Sequence, residues 1–300
     1  MIKEDKILAI GDVLNSKLRP MKERFRALFT LKNIGGPISV SCIQKCFVDD
    51  SALLKHELAY CLGQMQDPEA IPILESVLRD VNQEPMVRHE AAEALGAIGR
   101  PEVIETLEEF AKDPTVSVAE TCHLALRRIA WLKENKTVES SDQNDDTNPY
   151  FSIDPTPAAT DNNIRHLRNG LLDDSADLYD RYKSLFALRN LRTPEAALVL
   201  AGGLKSGGAL FRHEVAFVLG QLQEPTTVAA LIEGLEDKSQ DEMVRHECAE
   251  ALGAIATPQA LTALQQHLGD EKQVVRESCE ASANYNKSKI STFTPISVPM

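Results

Sequence analysis

The sequence predicts an all-α protein built as a solenoid of stacked helical hairpins. Two observations lead to this fold class. The chain repeats itself at a long and a short period, and its apolar residues recur at the three- and four-residue spacing of helices that bury one face. Composition agrees, because aromatic residues make up only 5% of the chain and an Ala- and Leu-rich composition favours packed helices.

The long period is an internal duplication. Shifting the sequence by 157 residues aligns its two halves without a gap, and residues 86–98 match residues 243–255 at twelve of thirteen positions. The eleven residues that begin at His56 match those that begin at His213 at seven positions. We therefore predict two halves with the same fold.

The short period divides each half into helical hairpins. His56 and His89 lie 33 residues apart, and so do His213 and His246. Prolines fall between the apolar stripes, where they begin or bound helices. One hairpin of about thirty residues cannot bury its own apolar face, so neighbouring hairpins must stack. We predict eight hairpins that resemble short HEAT repeats, four in each half.

The two predicted halves are separated by a segment that has no helical stripe. The N-terminal half spans residues 1–132 and the C-terminal half spans residues 162–285. Residues 133–161 contain seven acidic residues and three prolines, which is typical of a flexible or loosely docked linker. Residues 286–300 also lack a pattern, and we expect a disordered tail there.

Charge and composition disfavour several classes of function. The formal net charge of −13 repels nucleic acid and anionic membranes but attracts a basic protein or an amine. No window approaches the run of about eighteen apolar residues that indicates a membrane span, and the N terminus lacks a secretory signal. The six cysteines form no Cys-x-x-Cys unit, so we expect small core residues in a reducing compartment. We expect a monomeric cytoplasmic protein that binds neither nucleic acid nor membrane.

Four of the seven histidines are followed directly by glutamate. These four pairs, which we call the His-Glu dyads, are His56-Glu57, His89-Glu90, His213-Glu214 and His246-Glu247. Each lies a few residues into the second helix of a hairpin, so stacking places the dyads on one concave face. Equivalent helices lie ~8–10 Å apart, which lets two histidines from adjacent hairpins meet at one ion.

The residue types of the dyads predict a metal site. Imidazole and carboxylate together suit iron, manganese or zinc. Two histidines and one carboxylate on a metal leave positions open for oxygen and a substrate, and two such sets facing one another would form a dinuclear centre. Four ionised glutamates would balance two divalent ions. The dyads therefore predict two ions per chain without deciding between these metals.

For any single dyad the alternative is a surface role, because a His-Glu pair early in a helix is commonly an exposed polar pair or part of a cap. The duplicated helices have diverged elsewhere, however, while each copy retains both of its dyads. The fourth hairpin of each half has Glu120-Thr121 or Glu277-Ser278 at the aligned place, so a hairpin can pack without a dyad. Both observations favour a shared metal site.

Four further residues are weaker candidates for a substrate channel. Gly63 and Gly220 each lie seven residues after the first histidine of their half. Close helix packing would explain a glycine there, and so would room for a substrate chain. Met86 and Met243 lie three residues before the second histidine of each half, and we assign them to the same channel.

With the dyads identified, the sequence resembles the deoxyhypusine hydroxylases, chiefly through the stretch RHE-x-AEALGAI, which occurs twice. The resemblance covers the chain apart from the linker and the tail. It implies a non-haem di-iron monooxygenase that uses O2 to hydroxylate deoxyhypusine, a lysine extended by an aminobutyl group. The implied substrate is a eukaryotic translation initiation factor, and the implied cofactor is two Fe(II) ions per chain.

The resemblance also implies roles for the individual dyad residues. The iron ligands would be both histidines and the second glutamate of each half: His56, His89 and Glu90, and then His213, His246 and Glu247. Glu57 and Glu214 would bind the substrate amine or join the metals. The alternatives are a metal-free repeat scaffold, such as the repeat proteins that resemble phycobilin lyases, and a dinuclear metal hydrolase.

Overall fold

A computed structural model describes residues 2–135 and 148–293, with side chains as far as residue 284. Within these ranges the regular structure is helical, which confirms the predicted all-α class. Contacts divide the chain after Pro157 into two compact parts, Met1–Pro157 and Ala158–Met300, which we call the first unit and the second unit. No helix in the described ranges is both long and apolar enough to cross a membrane.

The described residues of the first unit form four helical hairpins. Their helices in chain order are α1 (Glu4–Asn15), α2 (Met21–Ile34), α3 (Gly36–Gln44), α4 (Ala52–Met65), α5 (Ile71–Arg79), α6 (Pro85–Ile98), α7 (Ile104–Phe110) and α8 (Val116–Asn135). Short 3₁₀ turns such as Pro68–Ala70 and Pro101–Val103 lead into the first helix of a hairpin. Proline at the first position suits these turns, because its fixed φ is already helical and the amide hydrogen it lacks would have no intrahelical partner.

The second unit repeats the same order. Its helices are α9 (Ile164–Leu172), α10 (Leu178–Leu191), α11 (Pro194–Gly202), α12 (Ala209–Leu222), α13 (Val228–Glu236), α14 (Glu242–Ile255), α15 (Pro258–Gln266) and α16 (Gln273–Phe293). The predicted eight hairpins, four in each half, are therefore confirmed. Helix α16 continues past residue 286, where the sequence predicts the tail to begin, and residues 294–300 of that tail lie outside the described ranges.

Side-chain caps and left-handed residues set the ends of the second helices. Ser51 accepts a hydrogen bond from the amide of Leu54 at the start of α4, and Asp241 accepts one from the amide of Met243 at the start of α14. Such caps satisfy amides that have no partner within the helix. The matching helices end in the left-handed conformation, at Gln66 for α4 and at Ala256 for α14.

Within each unit the second helices of successive hairpins pack side by side, α4 with α6 and α6 with α8, and then α12 with α14 and α14 with α16. Gly63 allows a close approach of α4 to α6, because a Cβ atom placed on it would lie 2.7 Å from the Cα of Ala94. The equivalent Cβ on Gly220 would lie 3.1 Å from the Cα of Ala251. The core between the helix layers is mainly aliphatic, as at Leu58 and Leu95, which are fully buried.

A buried arginine fixes each of four hairpins. Arg24, Arg88, Arg181 and Arg245 each donate Nε–H to the backbone carbonyl ten residues earlier, over 2.8–3.0 Å. That carbonyl lies at the end of the first helix, so the bond ties the two helices of the hairpin together. Three of these arginines also pair with a carboxylate 25 residues further on, at Asp49, Asp113 and Asp270.

The predicted linker lies partly outside the described ranges, since residues 136–147 are not described. The part from residue 148 to Pro157 belongs to the first unit, and Gln64 holds it there. The Gln64 side chain accepts a hydrogen bond from the amide of Ile153 (2.9 Å) and donates one to its carbonyl (3.3 Å). This end of the linker is therefore docked against α4.

Candidate metal centre

All four dyads occupy the same place in their helices. Each histidine is the fifth residue of its helix: His56 in α4, His89 in α6, His213 in α12 and His246 in α14. Because these helices are the second helices of successive hairpins and pack side by side, each unit brings two dyads together. The predicted place of the dyads early in the second helix is confirmed.

In the first unit, three side chains converge. The Nε2 atom of His56 lies 3.3 Å from Oε2 of Glu90, and the rings of His56 and His89 have centroids 5.6 Å apart. One ligand atom from each of His56, His89 and Glu90 lies within 4.8 Å of the others. All three residues are buried. The structure thus groups the three residues that the family resemblance assigns to one ion.

The second unit repeats this geometry. The Nε2 atom of His213 lies 3.4 Å from Oε2 of Glu247, and the rings of His213 and His246 have centroids 5.4 Å apart. The two rings are tilted by 41°, compared with 51° for the pair in the first unit. His246 is fully buried, and His213 and Glu247 are each 5% exposed. The two arrangements are near copies of each other.

The geometry of each set fits a metal ion. Nitrogen and oxygen ligands lie ~2.0–2.2 Å from a bound zinc or similar ion, so two ligands in adjacent positions are roughly 3 Å apart. The Nε2–Oε2 separations of 3.3 and 3.4 Å agree with that spacing. A neutral imidazole and an ionised carboxylate are also the forms that such ions require.

In the first unit, the carboxylates around His56 favour a positive charge at the group of three converging side chains. Burial acts to lower the pKa of His56, but the charge of Glu90 and the hydrogen bonds to Glu57 and Glu90 outweigh burial and raise that pKa well above its usual value. The same field that stabilises a proton on the imidazole stabilises a metal cation in its place. The electrostatics therefore support cation binding at this point.

The first glutamate of each half lies beside the set of possible ligands. Oε1 of Glu57 is 3.3 Å from Nδ1 of His56, whereas Glu90 approaches the other ring nitrogen, Nε2. The Glu57 side chain is 12% exposed, whereas Glu214 is buried. Glu57 thus contacts His56 but does not belong to the group of three converging side chains.

The four candidates for a substrate channel occupy helical positions in both units. Met86 and Met243 are buried at the second position of α6 and α14. Gly63 and Gly220 lie at the crossings of α4 with α6 and of α12 with α14, where close packing accounts for a glycine. A contribution of these residues to a substrate channel remains a prediction.

The cysteines are structural. All six are free thiols and buried, as the sequence predicts. Burial raises the pKa of Cys122 and of Cys279 to about 12, so both remain protonated at neutral pH. Protonated, buried thiols are poor metal ligands, which leaves imidazole and carboxylate as the donors in the described ranges.

Three groups around the two ligand sets were not predicted from the sequence to have a role there. Glu250 lies on α14 one turn after His246, with Oε1 3.8 Å from Nδ1 of that histidine. Ser278, from α16, donates its hydroxyl to Oε1 of Glu250 over 3.3 Å. Tyr60 lies among carboxylates in the first unit, and burial together with the charge of Glu57 raises its pKa well above the usual value. The four-residue spacing from His246 to Glu250 is the one signal that was visible in the sequence.

Comparison with known proteins gives a consistent result. The HEAT-repeat family profile matches residues 43–127 and 199–284. Deoxyhypusine hydroxylase from Drosophila pseudoobscura pseudoobscura is 60% identical over 93% of this chain and 91% of its own length. The human deoxyhypusine hydroxylase is 55% identical over 94% of this chain and 91% of its own length.

A solved structure agrees with these relatives. The structure of human deoxyhypusine hydroxylase in complex with glycerol is similar to this chain with a TM-score of 0.91 and 54% sequence identity. The match covers 95% of this chain and 97% of the human chain. At this identity the similarity extends well beyond a shared repeat fold.

Proposed function

The chain belongs to the deoxyhypusine hydroxylase family, and we propose that it hydroxylates a deoxyhypusine side chain with O2 and two bound Fe(II) ions. The observation that carries this proposal is the pair of matching ligand sets. Each set has a histidine Nε2 atom 3.3–3.4 Å from a glutamate Oε2 atom, with a second histidine ring beside it, and all of these groups are buried.

We assign one iron ion to each unit. The ligands are two histidines and the second glutamate of each unit: His56, His89 and Glu90, and then His213, His246 and Glu247. Two histidines with one carboxylate is the ligand set of many non-haem iron enzymes that activate oxygen. Bound iron would supply the redox chemistry that inserts an oxygen atom into a carbon–hydrogen bond. The protein shields this chemistry from bulk water by burying the ligands.

The first glutamate of each unit is assigned to the substrate. Glu57 contacts Nδ1 of His56 and retains some exposure to solvent, so its carboxylate can bind a cationic amine beside the ligand set. Glu214 holds the aligned position in the second unit. Deoxyhypusine carries amines that are positively charged at neutral pH, which a carboxylate at the edge of the site would bind and orient.

The whole-chain charge agrees with a cationic substrate. A net charge of −13 attracts a positively charged surface over a distance of about a Debye length, ~8–10 Å at physiological salt. The proposed partner is a translation initiation factor that carries the deoxyhypusine residue, since the family name specifies that residue.

Reconstitution with iron tests the metal assignment. Purified full-length protein, loaded with Fe(II) without oxygen and then desalted, should retain about two iron ions per chain, one for each ligand set. Retention of substantially less than one ion per ligand set would refute the assignment. Admitting oxygen separates an oxygenase from a hydrolase, because the visible absorption of an iron-loaded oxygenase should change. A zinc-loaded sample is the control and should not change, because zinc has no redox chemistry.

A mass measurement tests the reaction. The iron-loaded protein, given oxygen, a reductant and a protein that contains deoxyhypusine, should add the mass of one oxygen atom to that residue. The same mixture with the unmodified lysine form of the substrate protein is the matched control and should show no addition. Iron binding without oxygen addition would leave the metal site standing and refute the proposed reaction.

A further inference from the structure

The two dyad histidines of the second unit have different carboxylates beside them. The Nε2 atom of His213 faces Glu247, whereas Nδ1 of His246 lies 3.8 Å from Oε1 of Glu250. His246 and Glu250 are one helical turn apart on α14, so their side chains lie on the same face of the helix. A carboxylate next to Nδ1 directs the opposite nitrogen, Nε2, away from Glu250.

A metal-binding histidine depends on such a contact. Its second ring nitrogen usually donates to a carboxylate or a carbonyl, which fixes the tautomer and the direction of the ring. At 3.8 Å the Glu250 carboxylate is an ion-pair neighbour of Nδ1 that lies just beyond hydrogen-bond distance. Its negative charge favours the tautomer that carries its hydrogen on Nδ1, so that Nε2 presents its lone pair. Because His246 is fully buried, water in contact with bulk solvent cannot easily replace that partner.

Glu250 is itself held from a neighbouring helix. Its side chain is 30% exposed, and an exposed glutamate has several rotamers available. Ser278, which is fully buried on α16, donates its hydroxyl to the same Oε1 atom that approaches His246. The three residues thus form a chain from α16 through Glu250 to the imidazole.

The repeat pattern shows which position Ser278 occupies. It occupies the place where a dyad glutamate would stand in the fourth hairpin of the second unit. The aligned residue in the first unit is Thr121, whose hydroxyl donates instead to the carbonyl of Ser117 in its own helix, over 2.8 Å. The fourth hairpin of each unit lacks a dyad, but in the second unit it provides this serine.

We propose that Glu250 is a positioning residue for His246 and that Ser278 holds Glu250 in place, so the fourth hairpin contributes to the ligand set of the second unit. This inference rests on the proposed function, since it concerns an ion bound by His246. Glu250 would contact the ligand and never the reacting atoms.

The test is metal titration of the full-length chain without oxygen, with Co(II) as the probe because its visible bands report the coordination of each ion. The variants are Glu250→Gln and Ser278→Ala, and the matched control is Thr121→Ala. Glu250→Gln should weaken one of the two binding steps about 10–100-fold and alter the bands of that ion, as other losses of such outer contacts do. Ser278→Ala should weaken the same step roughly severalfold, and Thr121→Ala should leave both steps unchanged.

The double variant separates positioning from general loss of stability. If Ser278 acts through Glu250, Ser278→Ala should have little further effect on binding in the Glu250→Gln protein, whereas independent effects would add. Thermal melts of the metal-free proteins check folding, and Ser278→Ala remains informative if Glu250→Gln folds poorly.

The outcomes separate this inference from the proposed function. Normal binding of both ions by Glu250→Gln and Ser278→Ala would overturn the positioning role and leave the ligand assignment intact. An equal effect of Thr121→Ala would also overturn it. A wild-type chain that binds no ion in the second unit would refute the ligand assignment itself, and the positioning role with it.

Discussion

The proposed ligands have the same geometry in the two units of this protein but different surroundings. The distance from the first histidine to the second glutamate is 3.3 Å in one unit and 3.4 Å in the other. Next to these ligands, however, Tyr60 in the first unit is replaced by Phe217 at the aligned position in the second. Ser278 replaces Thr121 in the same way and has a different hydrogen-bond partner.

This difference shows which parts of a duplicated fold are constrained by chemistry. Ligands are fixed by the helix position and by the spacing between hairpins, and both of these are copied with the repeat. The groups behind the ligands depend on contacts between neighbouring helices, where a single side chain can change partner. Two units with the same arrangement of proposed ligands can therefore differ in their affinity for a metal ion.

The largest expected effect comes from removing a glutamate ligand. Glu90→Ala and Glu247→Ala should each reduce the iron content from about two ions to about one per chain, because each removes the only carboxylate assigned to its ion. The matched variant Glu57→Ala should keep the iron and lose affinity for the substrate. Elemental analysis after desalting measures the iron, and binding of the deoxyhypusine protein measures the second effect. The reverse pattern would exchange the roles of the glutamates.

The next largest effect concerns the buried arginines, which also differ between repeats. Asp270→Ala would leave Arg245 buried without its carboxylate partner, at a cost of about 3–5 kcal/mol in the free energy of unfolding. Ser206→Ala is the matched control, because Arg181 has a serine at the aligned place and also pairs with Asp174. That variant should cost about 1 kcal/mol or less. Urea denaturation of the metal-free proteins measures both, and equal losses would contradict the prediction.

Much of this architecture could be predicted from the sequence because the same helical pattern recurs in several repeats. The spacing from His56 to His89 recurs between His213 and His246, so one helix assignment constrains four. The fifth position of His56 follows from the cap residue Ser51, and that of His89 follows from Pro85 at the first position of its helix. Ligand pairing in each unit then follows from stacking adjacent hairpins.

The remaining features depend on which neighbour a side chain meets. Arg88 directly precedes a dyad, and a charged residue at such a position would ordinarily be expected on the surface. In the structure it is buried and donates a hydrogen bond to the carbonyl ten residues earlier. The sequence holds no sign that Ser278 bonds to Glu250 while Thr121 bonds to its own helix, since either hydroxyl could do both. Such choices are settled by packing between helices and not by periodicity.

A smaller effect is expected at the two matching glycines. In Gly63→Ala the new methyl group would lie 2.7 Å from a backbone carbon, so helices α4 and α6 must separate, at a cost of about 1–3 kcal/mol. In Gly220→Ala the distance is 3.1 Å, and the gain of about 1 kcal/mol from replacing glycine in a helix offsets much of the strain. Gly63→Ala should therefore be the less stable variant in thermal melts. If both glycines serve mainly as room for substrate, stability should hardly change and substrate binding should fall in both.

The smallest effect is the dependence of the arginine pairs on pH. The hydrogen bond from Arg245 lowers the pKa of Asp270, against the opposing effect of burial, and the backbone amide of Lys272 adds to the lowering. A lowered pKa means that the ionised carboxylate stabilises the folded state at pH values above its unfolded pKa of about 3.9. That contribution is lost as the pH falls through the lower folded pKa. The melting temperature of wild type should thus exceed that of Asp270→Asn at neutral pH, and the gap should narrow steadily below about pH 4. Thr121→Ala, which removes a hydrogen bond to a backbone carbonyl and none to a carboxylate, should differ from wild type by a constant amount over the same range. A constant gap for Asp270→Asn would show that hydrogen bonding alone, without the charge, accounts for the stability of this pair.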